Sequence, residues 1–111
     1  MAKQCWVITD VARGIALDEL TLTSGVTSAV PKGVSITKRT LHGGLQDGVD
    51  VVDVDNGRLR FTVIPTRGMG VWRAWCDNIQ LGWHAPVHGP VHPKWVNLWE
   101  PSGLGWLDGF D

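Results

Sequence analysis

Apolar and polar residues alternate from Val49 to Arg73, a pattern broken in its middle by Asp55-Asn56-Gly57. A period of two marks a strand with one face covered, and an Asn-Gly pair supplies the positive φ angles of a tight hairpin turn. Val52 and Val54 fall on one face and Asp53 and Asp55 on the other, and Leu59, Phe61 and Val63 repeat the pattern after the turn. An antiparallel hairpin is therefore expected here. Further strands are expected from Gly14 to Thr23, from Gly33 to Leu41, from Met69 to Trp75 and, after Asp77-Asn78, from Ile79 to Trp83. Helical periodicity is weak throughout, so the expected fold class is all-β, built on an antiparallel sheet.

At 111 residues the chain has the size of one domain, and residues 1–111 are read as a single β domain. Ten Lys+Arg against eleven Asp+Glu give a net charge of -1, which offers no bulk attraction for a nucleic acid or an anionic membrane. Every apolar run is broken within a few positions, far short of the roughly 20 residues of a membrane span. The two cysteines, Cys5 and Cys76, have neither metal-type spacing nor an adjacent base, and are expected to be buried or incidental in a reduced, cytoplasmic protein.

Six of the seven tryptophans (Trp72, Trp75, Trp83, Trp95, Trp99 and Trp106) fall in the last forty residues. Trp72 and Trp75 stand three apart on an expected strand and so should face opposite sides, one of them in the core. From His84 onward four of the six prolines break up regular structure, which predicts a long Trp-, Pro- and Gly-rich loop region. Indoles there suit either a ligand platform or a surface covered by other protein.

Within this region His84, His88 and His92 recur every fourth residue, a spacing that on a helix would suit zinc. Pro86, Pro90, Pro93 and Gly89 exclude that helix, and no metal is expected. His92 then either hydrogen-bonds loop carbonyls or offers a ring nitrogen to a polar ligand. Arg67, in IPTRGMG, either grips hydroxyls or an anion with its fork of donors, or caps a strand end and pairs with Asp53 or Asp55. Glu100 and Asp108 sit among tryptophans, where desolvation could raise a carboxyl pKa for acid/base work, although turn-stabilising roles are more common for such residues.

Three strings, RTLHGGLQDGVDVVDVDNGRLRFTVIPTRGMGVWRAW, GWHAPVHGPVHPKWV and EPSGLGWLDGFD, resemble in that order the N-terminal part of a little-characterised branch of the aldose 1-epimerase (galactose mutarotase-like) superfamily. The resemblance covers about residues 35–111. It implies part of a larger galactose mutarotase-like β-sandwich that binds a sugar in a cleft and interconverts anomers without metal or organic cofactor. It also implies a histidine acid and a glutamate base, both expected downstream of Asp111, and carries over Arg67, His92, Trp106 and Asp108 as sugar contacts. The alternative is a noncatalytic sugar-binding or assembly module that pairs with another chain, or with a second copy, through a sheet edge or the Trp-rich surface.

Overall fold

The computed structural model describes residues 4–82, 89–97 and 99–101. A small hairpin, β1 (Thr9–Asp10) and β2 (Ile15–Ala16), precedes six strands: β3 (Leu20–Thr23), β4 (Ser35–Thr40), β5 (Asp50–Asp55), β6 (Leu59–Ile64), β7 (Gly70–Cys76) and β8 (Ile79–Leu81). These six form one antiparallel sheet in sequence order, each strand paired with the next. The expected all-β, antiparallel class is what the chain adopts.

The long strand expected from Gly14 to Thr23 is divided into β2 and β3. The carbonyls of Leu17 and Asp18, between them, turn away from the ladder to accept hydrogen bonds from the Lys38 ammonium. At the central hairpin, Val54 pairs with Phe61 and Val52 with Val63, the register that the alternation predicts. The turn uses its residues differently from expectation. Gly57 alone takes a positive φ (92°), while the Asn56 side chain accepts from the amides of Arg58 (3.0 Å) and Leu59 (2.7 Å). Asp77 and Asn78, with φ of 49° and 68°, form the turn with two positive φ angles, joining β7 to β8.

Alternate residues share a face, so the pairing register sorts the sheet into two surfaces. One carries Leu22, Ile36, Val52, Val54, Phe61, Val63, Val71, Ile79 and Leu81. Leu22 and Val52 are buried, but Val71 is 59% and Ile79 69% exposed. The opposite surface carries Thr37, Arg39, Asp53, Asp55, Arg60, Thr62, Arg73 and Trp75 toward the tip of the β5–β6 hairpin. At its other end it becomes apolar, and the buried cluster of Leu41, Val49, Val51 and Ile64 lies there with Trp72 packed against it. The best-buried cluster is thus on the face opposite the valine alternation, because residues 89–96 fold over that end and bury Pro90, Val91 and Val96.

Trp72 and Trp75 depart from the expected opposition. Thr62 pairs with Arg73 but Val63 with Val71, so a bulge makes Trp72 an extra residue on β7. Both indoles therefore line the same hollow on the polar face, and Trp72 also reaches the core cluster. Of the cysteines, Cys5 is exposed and Cys76 is half-buried; both are free thiols. No helix among the described residues is long and apolar enough to cross a membrane.

Candidate functional site

The segments that carry Arg67 and His92 meet at the loop-bearing end of the sheet. After β6, Pro65–Arg67 forms one 3₁₀ turn, to which proline contributes a preset φ and from which Gly68 escapes in the left-handed region (φ 69°). Met69 follows with φ 63°, uncommon for a residue with a side chain, and its amide returns to the Ile64 carbonyl at 3.0 Å. Thr66 Oγ1 accepts from the Asp50 amide at 2.8 Å and ties the turn to the start of β5. Arg67, held by this anchorage and half-buried, directs Nη1 to the carbonyl of Val91 at 3.1 Å. Asp53 pairs with Arg39 at 2.8 Å.

His92 is fixed from both sides. Its amide donates to the Leu45 carbonyl at 2.7 Å, docking the loop on the 3₁₀ turn Gly44–Gln46. Its Nδ1 accepts from the Lys94 amide at 3.1 Å and caps the Pro93–Trp95 turn. In the neutral ring this leaves the proton on Nε2, which makes that nitrogen a donor. The ring lies against Gly48, where a Cβ would stand 3.4 Å from Cδ2 and 3.7 Å from Nε2. Gly48 is therefore required by its φ of 86°, while a Cβ there would only come into ordinary contact with the imidazole.

Two carboxylates that sequence reasoning passed over belong to this end of the molecule. Asp47 Oδ1 accepts from the Gly43 amide at 2.9 Å, and that bond, reinforced by Lys94 and by nearby His42 and His92, holds its carboxyl below the ordinary range. Burial opposes the charge on Asp50, yet hydrogen bonds from Lys38 and Thr40 outweigh it and hold that carboxyl low as well. The LHGGLQDG string held the signal: three glycines, Gly43, Gly44 and Gly48 (φ 83°, 63° and 86°), fold the strand end back so that His42, Asp47 and Asp50 come near the His92 loop. Among the described residues no group of three or more His, Cys, Asp or Glu side chains is placed to hold a metal ion.

Arg67 and His92 are thus brought to one place, through Val91. Trp106 and Asp108 lie outside the described residues, as do His84, His88 and Trp83. Glu100 is half-buried, and Trp95 and Trp99 are exposed, Lys94 lying 5.6 Å from the Trp95 ring centre.

The sequence pattern of DUF4432, a domain of unknown function, matches residues 46–111, more than half of the chain. The chain belongs to the DUF4432 family. Its match therefore includes Arg67, His92 and both turns that position them. A solved structure is also similar to this DUF4432 chain: the crystal structure of a protein described as a "putative aldose 1-epimerase" from Klebsiella pneumoniae subsp. pneumoniae MGH 78578, with 34% sequence identity and a TM-score of 0.84. The similarity covers 96% of this chain but 28% of that one, so the DUF4432 chain spans under a third of the structure it matches. No curated protein matches the chain. The fold is thus that of an aldose 1-epimerase-like protein.

Proposed function

We propose that this chain forms one part of a larger sugar-binding sandwich of aldose 1-epimerase type, in which Arg67 and His92 contribute to one wall of the sugar cleft, together with Trp106 and Asp108. The observation that carries the reading is the likeness to the Klebsiella protein over nearly the whole of this chain, at 34% identity and a TM-score of 0.84. The uncovered apolar face supports the structural half of the proposal: Val71, Ile79 and Leu81 present a surface of the kind a sandwich covers with its second sheet. The free thiols of Cys5 and Cys76 fit a reducing, cytoplasmic setting.

Anomer interconversion needs a proton donor at the ring oxygen and an acceptor for the proton of the anomeric hydroxyl. With Nδ1 engaged by Lys94, His92 offers an Nε2–H to a sugar oxygen, and Arg67 adds guanidinium donors fixed by its turn. These groups bind and orient. In this reading the acid and base that open the ring belong to the remainder of the larger protein.

The test is titration of tryptophan fluorescence with a panel of aldoses, paired with NMR measurement of anomer exchange. A saturable response to an aldose, weakened about tenfold or more in Arg67→Ala or His92→Ala by loss of a charge-assisted or fixed hydrogen bond, is the expected result. A folded protein that responds to no aldose would sink the sugar reading and leave the assembly-module alternative.

A further inference from the structure

We propose that the polar face of the sheet carries a separate site, a hollow of about 290 Å³ that takes the oxyanion of a small phosphate- or carboxylate-bearing ligand. It lies toward the opposite end of β6 from Arg67, around Arg60, Arg73, Trp72 and Trp75. Nothing in it depends on the sugar reading, because the ligand is defined by its charge.

The pairing of β6 and β7 builds this site. Arg60 stands opposite Trp75, and Thr62 opposite Arg73, so the two arginines are diagonal neighbours on one face. The bulge adds Trp72 beside them. Each guanidinium then lies over an indole, Arg73 at 3.8 Å from the centre of Trp72 and Arg60 at 4.6 Å from that of Trp75. Stacking fixes the plane of the guanidinium while leaving the N–H groups on its rim to donate sideways. Two such forks held in place form a receptor for a planar or tetrahedral oxyanion, with little side-chain freedom left to lose on binding.

The surrounding acids do not cancel this charge. Asp53 Oδ2 accepts from Arg39 Nε at 2.8 Å and its Oδ1 from the Thr62 hydroxyl at 2.5 Å. Asp55 Oδ1 accepts from the Gly57 amide at 2.7 Å. Among the described residues neither Arg60 nor Arg73 meets a carboxylate at ion-pair distance. The hollow therefore holds three guanidiniums and two carboxylates, with one carboxylate already committed to Arg39. A neutral sugar would find one face of each indole already covered, so donors rather than bare rings set the ligand class.

Calorimetric titration of the purified protein with glucose 6-phosphate, glucuronate and glucose tests the site, with circular dichroism confirming that each variant is folded. The phosphate ester or the uronate, whichever oxyanion the forks prefer, should bind saturably and more weakly as salt is raised, and glucose should not compete. The double variant Arg60→Met, Arg73→Met should lose about tenfold or more in affinity, since two charge-assisted contacts disappear. Arg60→Lys with Arg73→Lys, which keeps the charge without the planar fork, should lie between, and Arg13→Met should bind as the parent does. Absence of binding to both anions in the folded protein, or anion binding indifferent to Arg60 and Arg73, overturns the proposal. Glucose binding that depends on Arg67 but ignores Arg60 and Arg73 would keep the sugar reading standing while an anion failure removed this one.

Discussion

Replacing Lys38 by methionine should cost this protein about 3 kcal/mol, the lower end of what breaking a buried ion pair costs. Lys38 is 3% exposed, on the face of β4 that also carries Ile36 and Thr40. Its ammonium meets Asp50 Oδ1 at 2.9 Å, the Thr40 hydroxyl at 2.9 Å, the Asp18 carbonyl at 3.3 Å and the Leu17 carbonyl. Methionine fills most of the aliphatic volume but leaves a half-buried carboxylate without its cation and two carbonyls without a donor. Because the Asp50 side chain retains 26% exposure, water softens the loss, which is why the lower end applies. The β2–β3 connection, held to the sheet through those two carbonyls, should loosen with it. Urea denaturation followed by tryptophan emission gives the difference from the midpoint and slope. Acid supplies a second reading. The Asp50 carboxyl is held below its ordinary value in the folded protein, burial being outweighed by Lys38 and Thr40, so the stability it contributes is present above the unfolded carboxylate range of about 3.9 and fades as pH falls through the lower folded value. The gap between parent and Lys38→Met should be constant from about pH 5 to 8 and narrow below about pH 4. A variant within about 1 kcal/mol of the parent at neutral pH, or a gap that ignores acid, would refute the reasoning.

Other substitutions probe the remaining parts of the structure. Gly48→Ala should cost about 1–2 kcal/mol, since φ is 86°, with the His92 imidazole NMR resonances little changed because the new Cβ stands at ordinary contact distance; a calorimetric melt reads the cost. Thr62→Val removes the 2.5 Å bond to the Asp53 carboxylate, a group held low because hydrogen bonds from Arg39 and Thr62 outweigh its burial. About 1–2 kcal/mol should be lost and the Asp53 carboxyl should titrate closer to its ordinary value, followed by carbon-13 NMR. Ile79→Lys tests the sandwich proposal: in the larger protein it should destabilise by about 2 kcal/mol or more if a second sheet covers this face, whereas a change within about 0.5 kcal/mol would mean that the face meets water.

The central hairpin and its register were set by local sequence alone. Alternation around Asp55-Asn56-Gly57 places Val52 against Val63 and Val54 against Phe61, and the Asp77-Asn78 pair marks the next turn, because period and turn chemistry act over a few residues and need no tertiary partner. Arg67 and His92 were legible as candidates for the same local reason, each standing beside glycine or proline that dictates backbone angles. What the tertiary structure decided was everything that depends on which segments meet. It brought Arg67 to Val91 and set His92 on Gly48, drew Asp47 and Asp50 into the same neighbourhood, and moved the best-buried cluster to the face away from the valine alternation. One extra residue on β7 turned Trp72 toward the same hollow as Trp75 and so stacked two guanidiniums side by side. A bulge is invisible in the period of a single strand, because it exists only as a mismatch between two strands that pair.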